Sequence, residues 1–361
     1  MPQFLFETAT PDPVERVSVE GSPGTLDALL PTGGKVRIED VAALAGVSPI
    51  TVSRALRNPS IVSEARRKRI EEVVIKTGYA SNPHASALKS GRSNLVAAFL
   101  SNITSQQYTD AAEGCAKVLE EAGYHLVIAR TSYSYARETT LIRALMTMRP
   151  AAAFITGVME LEENRTFLRN LRVPIVESWA YASDPIDMLV GFSNTDGVRL
   201  VVNHLAERGY RKVAFIGRSS GRGTIRLNAF REGARETGIE IKATLTVANV
   251  QGIADGRQAL RSVLARSPDL DAVFCANDLL GIGAMLEARS MGLNIPQNLA
   301  IIGFGDSEVA AEVPPGMTTV VVDSHAIGHK AGEMLLARLS GKNVESPSCL
   351  FPVELKIRGS S

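Results

Sequence analysis

The chain has 361 residues, of which 45% are hydrophobic and 21% charged, the size and composition of a globular protein with two or three folded units. No apolar run approaches the ~20 residues that span a bilayer, and the opening residues lack the basic region and small-residue cleavage site of a secretory signal. Three widely separated cysteines, Cys115, Cys275 and Cys349, argue against a disulfide framework or a CxxC zinc site and fit a reducing cytoplasm.

The net charge of +1 conceals a division along the chain. Residues 1–34 carry one base and five acids, residues 35–93 eleven bases and five acids, and the remainder is nearly neutral. A basic block in an otherwise neutral chain is the electrostatic footprint expected for a polyanion.

Residues 1–34, with five prolines and the pair Gly33-Gly34, hold no helical or strand period and read as a mostly disordered extension without an assignable role. Residues 35–80 predict a small all-α domain. Val36, Ile38, Val41, Ala42, Leu44 and Ala45 fall roughly on one helical face, and Gly46 stops that helix. Ser48 has N-cap chemistry, with Pro49 at the first helical position, and Asn58-Pro59 ends the second helix. Ser63 caps a third helix that carries Arg66, Arg67, Lys68 and Arg69 outside and Ile70, Val73 and Val74 inside, with Gly78 closing it.

Two helices about a tight glycine turn have helix-turn-helix logic. Val47 plugs the angle and Val52 faces inward, leaving Ser48, Pro49, Ile50, Thr51, Ser53, Arg54 and Arg57 to meet base edges and phosphates in a major groove. The order and spacing of DVA-x-x-AGVS-x-x-TVSR-x-L, the following GY-x-x-N-x-x-A-x-x-L and the apolar strand after it resemble the N-terminus of the lactose/galactose-repressor family. The resemblance continues over roughly residues 36–358.

It implies that residues 81–93 form a hinge helix that folds on the correct DNA and presses into the minor groove. Asn82 and Ala85 lie in this segment, Leu88 wedges between base pairs and Lys89 sits beside it on groove or phosphate, an exchange of unstacking energy for contact surface. Such an arrangement needs two copies reading a palindromic operator, with Arg54, Arg57, Arg67 and Lys89 adding phosphate contacts. No leucine heptad follows the last strand, which favours a homodimer over a tetramer.

From residue 94 to 361 the rhythm changes. Apolar runs at 95–100, 125–129, 151–156, 173–178, 212–217, 271–276, 299–304 and 318–323 alternate with helix-like stretches such as 111–122, 137–148, 197–208 and 279–291. Alternating strand and helix predicts doubly wound parallel sheets, here too many strands for one sheet, and so a two-lobed α/β sensor with a cleft at the carboxyl ends of its strands.

The family resemblance is to a periplasmic-binding-protein-like core and implies effector contacts at Arg226, in a segment like R-L-x-G-[FW] with Ala229 in the glycine position, and at Asn277 and Asp278 of CAND. An Arg and an Asp facing each other across a cleft suit a ligand with a carboxylate and hydroxyls. Tyr108, Tyr133 and Trp179 could close on that ligand, with Glu177 a further hydroxyl partner. The VGFSN element, Glu177 and the run G-R-x-x-x-R-G-T-I-R are similar to gluconate-utilisation repressors within the family, which implies gluconate or a close sugar acid such as 6-phosphogluconate or 2-ketogluconate. The additional arginines Arg218 and Arg222 either favour an anion or are exposed loop charges; a neutral sugar or another metabolite is the alternative.

Other classes fit less well. A solute-binding protein would carry a signal peptide and no basic block. An enzyme would need a catalytic set, yet Asp323-Ser324-His325 is adjacency without triad geometry and no GxSxG elbow is present. Gly217–Gly221 begins like a phosphate loop but lacks its Lys-Ser/Thr. His125 and His204 have no second ligand at metal spacing, and no cofactor motif is complete.

Overall fold

The computed structural model describes residues 36–79, 93–132 and 134–361. The expectations for residues 1–34, for Asn82, Ala85, Leu88 and Lys89, for Tyr133 and for the Arg57 side chain fall outside the described residues. The chain divides into two compact units, residues 1–86 and 87–361.

In the first unit, α1 (Ile38–Ala45), α2 (Pro49–Arg57) and α3 (Glu64–Thr77) pack around Val41, Ala42, Ala45, Val52, Ala55 and Ile70, with Val47 and Val62 beside them. α1 stops because Gly46 takes φ +61°, left-handed, where a side chain costs roughly 1–2 kcal/mol. The amide of Val47 returns to the Ala42 carbonyl at 3.0 Å, closing the turn. Ser48 then starts α2, its Oγ accepting the Thr51 amide at 3.2 Å.

The second unit contains two six-stranded sheets. Lobe one orders its strands β11-β5-β4-β3-β1-β2, built from β1 (Leu95–Leu100), β2 (His125–Arg130), β3 (Ala152–Ile155), β4 (Ile175–Ser178), β5 (Met188–Phe192) and β11 (Ser348–Phe351), all parallel. Lobe two orders its strands β12-β10-β9-β8-β6-β7, built from β6 (Lys212–Arg218), β7 (Glu240–Val247), β8 (Ala272–Cys275), β9 (Ala300–Gly305), β10 (Thr318–Val321) and β12 (Glu354–Lys356), with β12 antiparallel to β10. The central strands are buried on both faces, which is why they read as unbroken apolar runs. Within each lobe the strand order reverses beside the first strand, between β1 and β3 and again between β6 and β8, and such switch points open crevices at carboxyl ends.

The intervening helices are α4 (Gln106–Glu121), α5 (Tyr135–Thr147), α6 (Glu162–Leu171), α7 (Asn194–Glu207), α8 (Arg222–Thr237), α9 (Ile253–Arg266), α10 (Asp278–Ser290), α11 (Glu308–Glu312) and α12 (Ser324–Leu339). The chain passes between lobes three times. After β5 it enters α7, which packs on α8, β10 and β12 of lobe two; after β10 it returns through α12, which packs on α4 and on β3, β4 and β5 of lobe one; and between β11 and β12 it crosses again. Phe215, Phe230 and Phe274 fill lobe two with ring centroids 5.5–5.7 Å apart. No helix among the described residues is long and apolar enough to cross a membrane.

Candidate functional site

On the head, α2 presents one face and buries the other. Val52 and Ala55 point into the core, while Ser48, Pro49, Ile50 and Arg54 are exposed and Thr51 and Ser53 half-buried. Ile50 is 62% exposed, a large apolar side chain that the head itself does not use. An exposed, capped helix start beginning with Pro49 is the shape that enters a major groove. α3 adds exposed Arg66, Lys68 and Arg69, the last lying against Gly46. The Ser48 cap should matter energetically: Ser48→Ala is expected to lower the stability of the head by about 1 kcal/mol, read by calorimetry on the full chain as a downward shift of the head transition alone.

In the second unit, the carboxyl ends of the strands of both lobes converge. Ser101 follows β1, Thr131 follows β2, Thr156, Gly157, Val158 and Glu160 follow β3, Ala180 and Tyr181 follow β4, and Arg218, Gly221, Arg222, Thr224 and Ile225 end β6 and open α8. With Tyr135 and Glu138 from the first turns of α5, they line a cavity of about 470 Å³. Its lobe-one wall is rich in hydroxyls and its lobe-two wall brings Arg218 and Arg222. A smaller cavity of about 90 Å³ lies at Thr104–Gln107, Ile253, Asn277, Asp278, Leu279, Ile282, Ser307 and Val309.

Direct hydrogen bonds close the lobes together near the smaller cavity. Asn102 Nδ2 donates to Val250 O at 3.1 Å, Thr104 Oγ1 to Gln251 O at 3.0 Å, and the Glu308 amide to Gln106 Oε1 at 2.9 Å. Arg222 Nη2 donates to the Tyr108 hydroxyl at 2.6 Å, and Tyr108 stands edge-on to Trp179 with centroids 5.1 Å apart. Trp179 is 1% exposed, and its indole N–H has no acceptor among the described residues.

The effector residues expected from sequence separate into different places. Tyr108 and Trp179 meet beside Arg222 at the lobe junction. Arg226 and Asp278 do not face each other across the cleft: both belong to lobe two, because they follow β6 and β8 of one sheet. Arg226 is 7% exposed, donating from Nε to Asn194 Oδ1 at 2.8 Å and from Nη1 to Ala276 O at 2.5 Å, with its guanidinium 3.5 Å from the centroid of the Phe304 ring.

Asp278 lines the smaller cavity, yet its carboxylate accepts the Ser307 amide and the Thr319 hydroxyl, each at 2.7 Å. Burial pushes its pKa up against those two bonds. Asn277 caps α10, accepting the Leu280 amide at 3.2 Å. Glu177 lies away from both cavity walls. It is fully buried on β4 and accepts the Met159 and Ile186 amides at 2.7 Å each, so it fixes the loop that carries Glu160.

The sequence reading missed Tyr135, Glu138 and Glu160. Tyr135 donates to Glu160, and that bond raises its own pKa to about 12, with burial adding to the shift. Glu138 accepts from Asn164 Nδ2 at 3.2 Å and is pushed up to about 7, chiefly by burial and then by nearby Glu160 and Glu177, against the Asn164 bond. The position of these residues just past strand ends was the signal that could have found them.

A helix-turn-helix head joined to a two-lobed binding domain defines the class of DNA-binding transcriptional regulators. A model described as bacterial regulatory proteins, lacI family, matches residues 37–82, and one described as a periplasmic binding protein-like domain matches residues 202–361. The HTH-type transcriptional regulator GntR of Pseudomonas aeruginosa is 32% identical over 336 residues, covering 91% of this chain and 97% of that protein. A LacI-family transcriptional regulator from Silicibacter pomeroyi superposes with a TM-score of 0.81 at 28% identity, covering 90% of this chain and 99% of the other. The complex of the transcriptional regulator CelR with cellobiose superposes at 0.65 and 27% identity, covering 90% and 100%. The chain belongs to the lacI family of bacterial regulatory proteins and is a regulator of transcription, not an enzyme.

Proposed function

We propose that this regulator is a cytoplasmic, homodimeric repressor of sugar-acid catabolism genes, binding palindromic operator DNA and answering to gluconate or a close relative such as 6-phosphogluconate or 2-ketogluconate. The observation that carries the ligand class is the chemistry of the larger cavity. Arg218 and Arg222 on one wall supply charge for a carboxylate or phosphate, and Thr131, Tyr135, Thr156 and Tyr181 supply hydroxyls for a polyol. Charge-assisted bonds from Arg to carboxylate are the strong, orienting contacts of such a site. The volume falls within the range of small-molecule pockets. The cellobiose complex of CelR supports a saccharide-like ligand in this fold.

In this reading Ser48, Pro49, Ile50, Thr51, Ser53, Arg54 and Arg57 meet the major groove, and Asn82, Ala85, Leu88 and Lys89 the minor groove. Tyr108, Tyr133 and Trp179 meet the ligand or the residues that hold it, Arg226 braces the lobe-two side, Asn277 and Asp278 stand at the smaller cavity, and Glu177 lies behind the wall. Ligand and operator then shift each other's affinity by one common factor.

The test is calorimetric titration with gluconate, 6-phosphogluconate, 2-ketogluconate and galactose, on the wild type and on Arg222→Ala. One acid binds the wild type, and the variant loses roughly 10–100-fold of that affinity, the ~1.5–3 kcal/mol of a hydrogen bond to a charged group. Binding of galactose alone would sink the acid assignment. Sedimentation of the full chain tests the dimer.

A further inference from the structure

We propose that the effector cavity takes up its acid ligand together with one proton, carried by Glu138. This rests on the sugar-acid reading above and adds to it a regulation by pH. An anion site lined by two arginines should not also expose carboxylates, yet Glu138 and Glu160 both line it from lobe one, Glu160 reaching Gly221 beside Arg218 while Glu138 stays on its own wall.

Their surroundings differ. Glu160 accepts the hydroxyl of Tyr135, one turn before Glu138 on α5. Glu138 has Asn164 of α6 as its hydrogen-bond donor and has two acids near it, Glu160 from the loop after β3 and Glu177 on β4. Arg165 of α6 is spent on Glu177 at 3.6 Å and on the Asp184 segment. Two carboxyls that crowd one site are relieved when one of them takes a proton. Burial and the neighbouring acids already bring Glu138 to about 7 in the empty cavity, and a bound carboxylate adds a further negative charge that raises it again. As a neutral acid, Glu138 also gains an O–H donor for a ligand oxygen.

Below about pH 7 Glu138 already holds its proton, so ligand binding takes up none. Above that pH the empty site is ionised and the occupied site protonated, so uptake approaches one proton and affinity falls up to about tenfold per pH unit. An effector signal would therefore weaken as the surroundings become alkaline.

The experiment titrates gluconate into the full chain by calorimetry at about pH 6 and about pH 8, either side of the Glu138 transition, each in two buffers of different ionisation enthalpy. Gluconate is the probe because its carboxylate does not titrate in this window, unlike a phosphate ester with a second pKa of about 6. The expected result is no uptake at the lower pH and nearly one proton at the higher in the wild type. Glu138→Gln should take up none at either pH and bind gluconate at the higher pH more tightly than the wild type. Gluconate binding without uptake at the higher pH, or uptake retained by Glu138→Gln, overturns the proposal while leaving the sugar-acid reading intact. If no sugar acid binds either protein, both fall. Carbon-13 carboxyl NMR of the wild type decides the same question if the variant does not fold. The Glu138 resonance should titrate at about 7 without ligand and stay protonated well above that pH with it; a resonance that ionises at the same pH with and without gluconate would overturn the proposal.

Discussion

Arg226→Ala is expected to destabilise the sensor by about 3–5 kcal/mol, because it strands two buried acceptors at roughly 1–3 kcal/mol each and removes packing as well. The acceptors are Asn194 Oδ1 and Ala276 O, at positions 4% and 5% exposed. Asn194 in turn donates from Nδ2 to Trp179 O at 3.0 Å, so one guanidinium links the end of β4, the first crossover and the end of β8. For a unit of this size the loss corresponds to a melting temperature lower by about 10 °C, measured by scanning calorimetry. Arg226→Lys keeps the charge but not the two-pronged geometry and should fall between. Calorimetric titration with gluconate separates two roles. Lost affinity with an unchanged melting temperature would make Arg226 a ligand contact; a lowered melting temperature with unchanged affinity would make it a strut between crossover and sheet.

Gly328→Val should be the most damaging single substitution in lobe one. α12 crosses α4 so closely that a Cβ at Gly328 would fall on the Ala111 carbonyl oxygen, while one at Gly114 would fall on the carbonyl oxygen of His325. One turn on, Gly332 meets Cys115 O at 2.9 Å by the same construction. The obstacles are backbone atoms, which cannot move aside as a side-chain tip can. The cost should therefore sit at or beyond the ~3 kcal/mol upper end of ordinary overpacking. Urea denaturation followed by circular dichroism measures it, and a midpoint within error of the wild type would show that the helices part easily. Gly328→Ala is expected to cost less than the valine.

Much of this fold was written in apolar periodicity. The eight runs from 95–100 to 318–323 correspond to strands, seven of them covered on both faces and the eighth, β2, an edge strand read from its apolar residues alone, and the head was legible because Gly46, Ser48 and Pro49 are punctuation with local causes. β7 escaped because Lys242, Thr244 and Thr246 break up its apolar residues, and β5 was not among the runs although it is buried throughout. β11 and β12 are short, at four and three residues, and each pairs with a strand far away in sequence.

The cavity was harder to read for a different reason. Tyr135, Glu138 and Glu160 are ordinary residues for a helix start or a surface loop, and only the strand order gathers them. Glu177 and Asp278 have roles in the fold that their place in the sequence does not show. A carboxylate at a strand end suggests a ligand contact, but these two satisfy the chain's own amides and a threonine hydroxyl.

The three passages between lobes carry a consequence for how such a protein can be cut and recombined. Neither lobe is a continuous stretch of gene. A stop codon after β10 would strip α12 and β11 from the first lobe and β12 from the second, so neither half could be exchanged between relatives as a simple cassette. The head, by contrast, is one uninterrupted segment and can be traded whole. Exchange by recombination should then pair new operators with old ligands readily, while a new ligand must arise by substitution inside an indivisible pair of lobes.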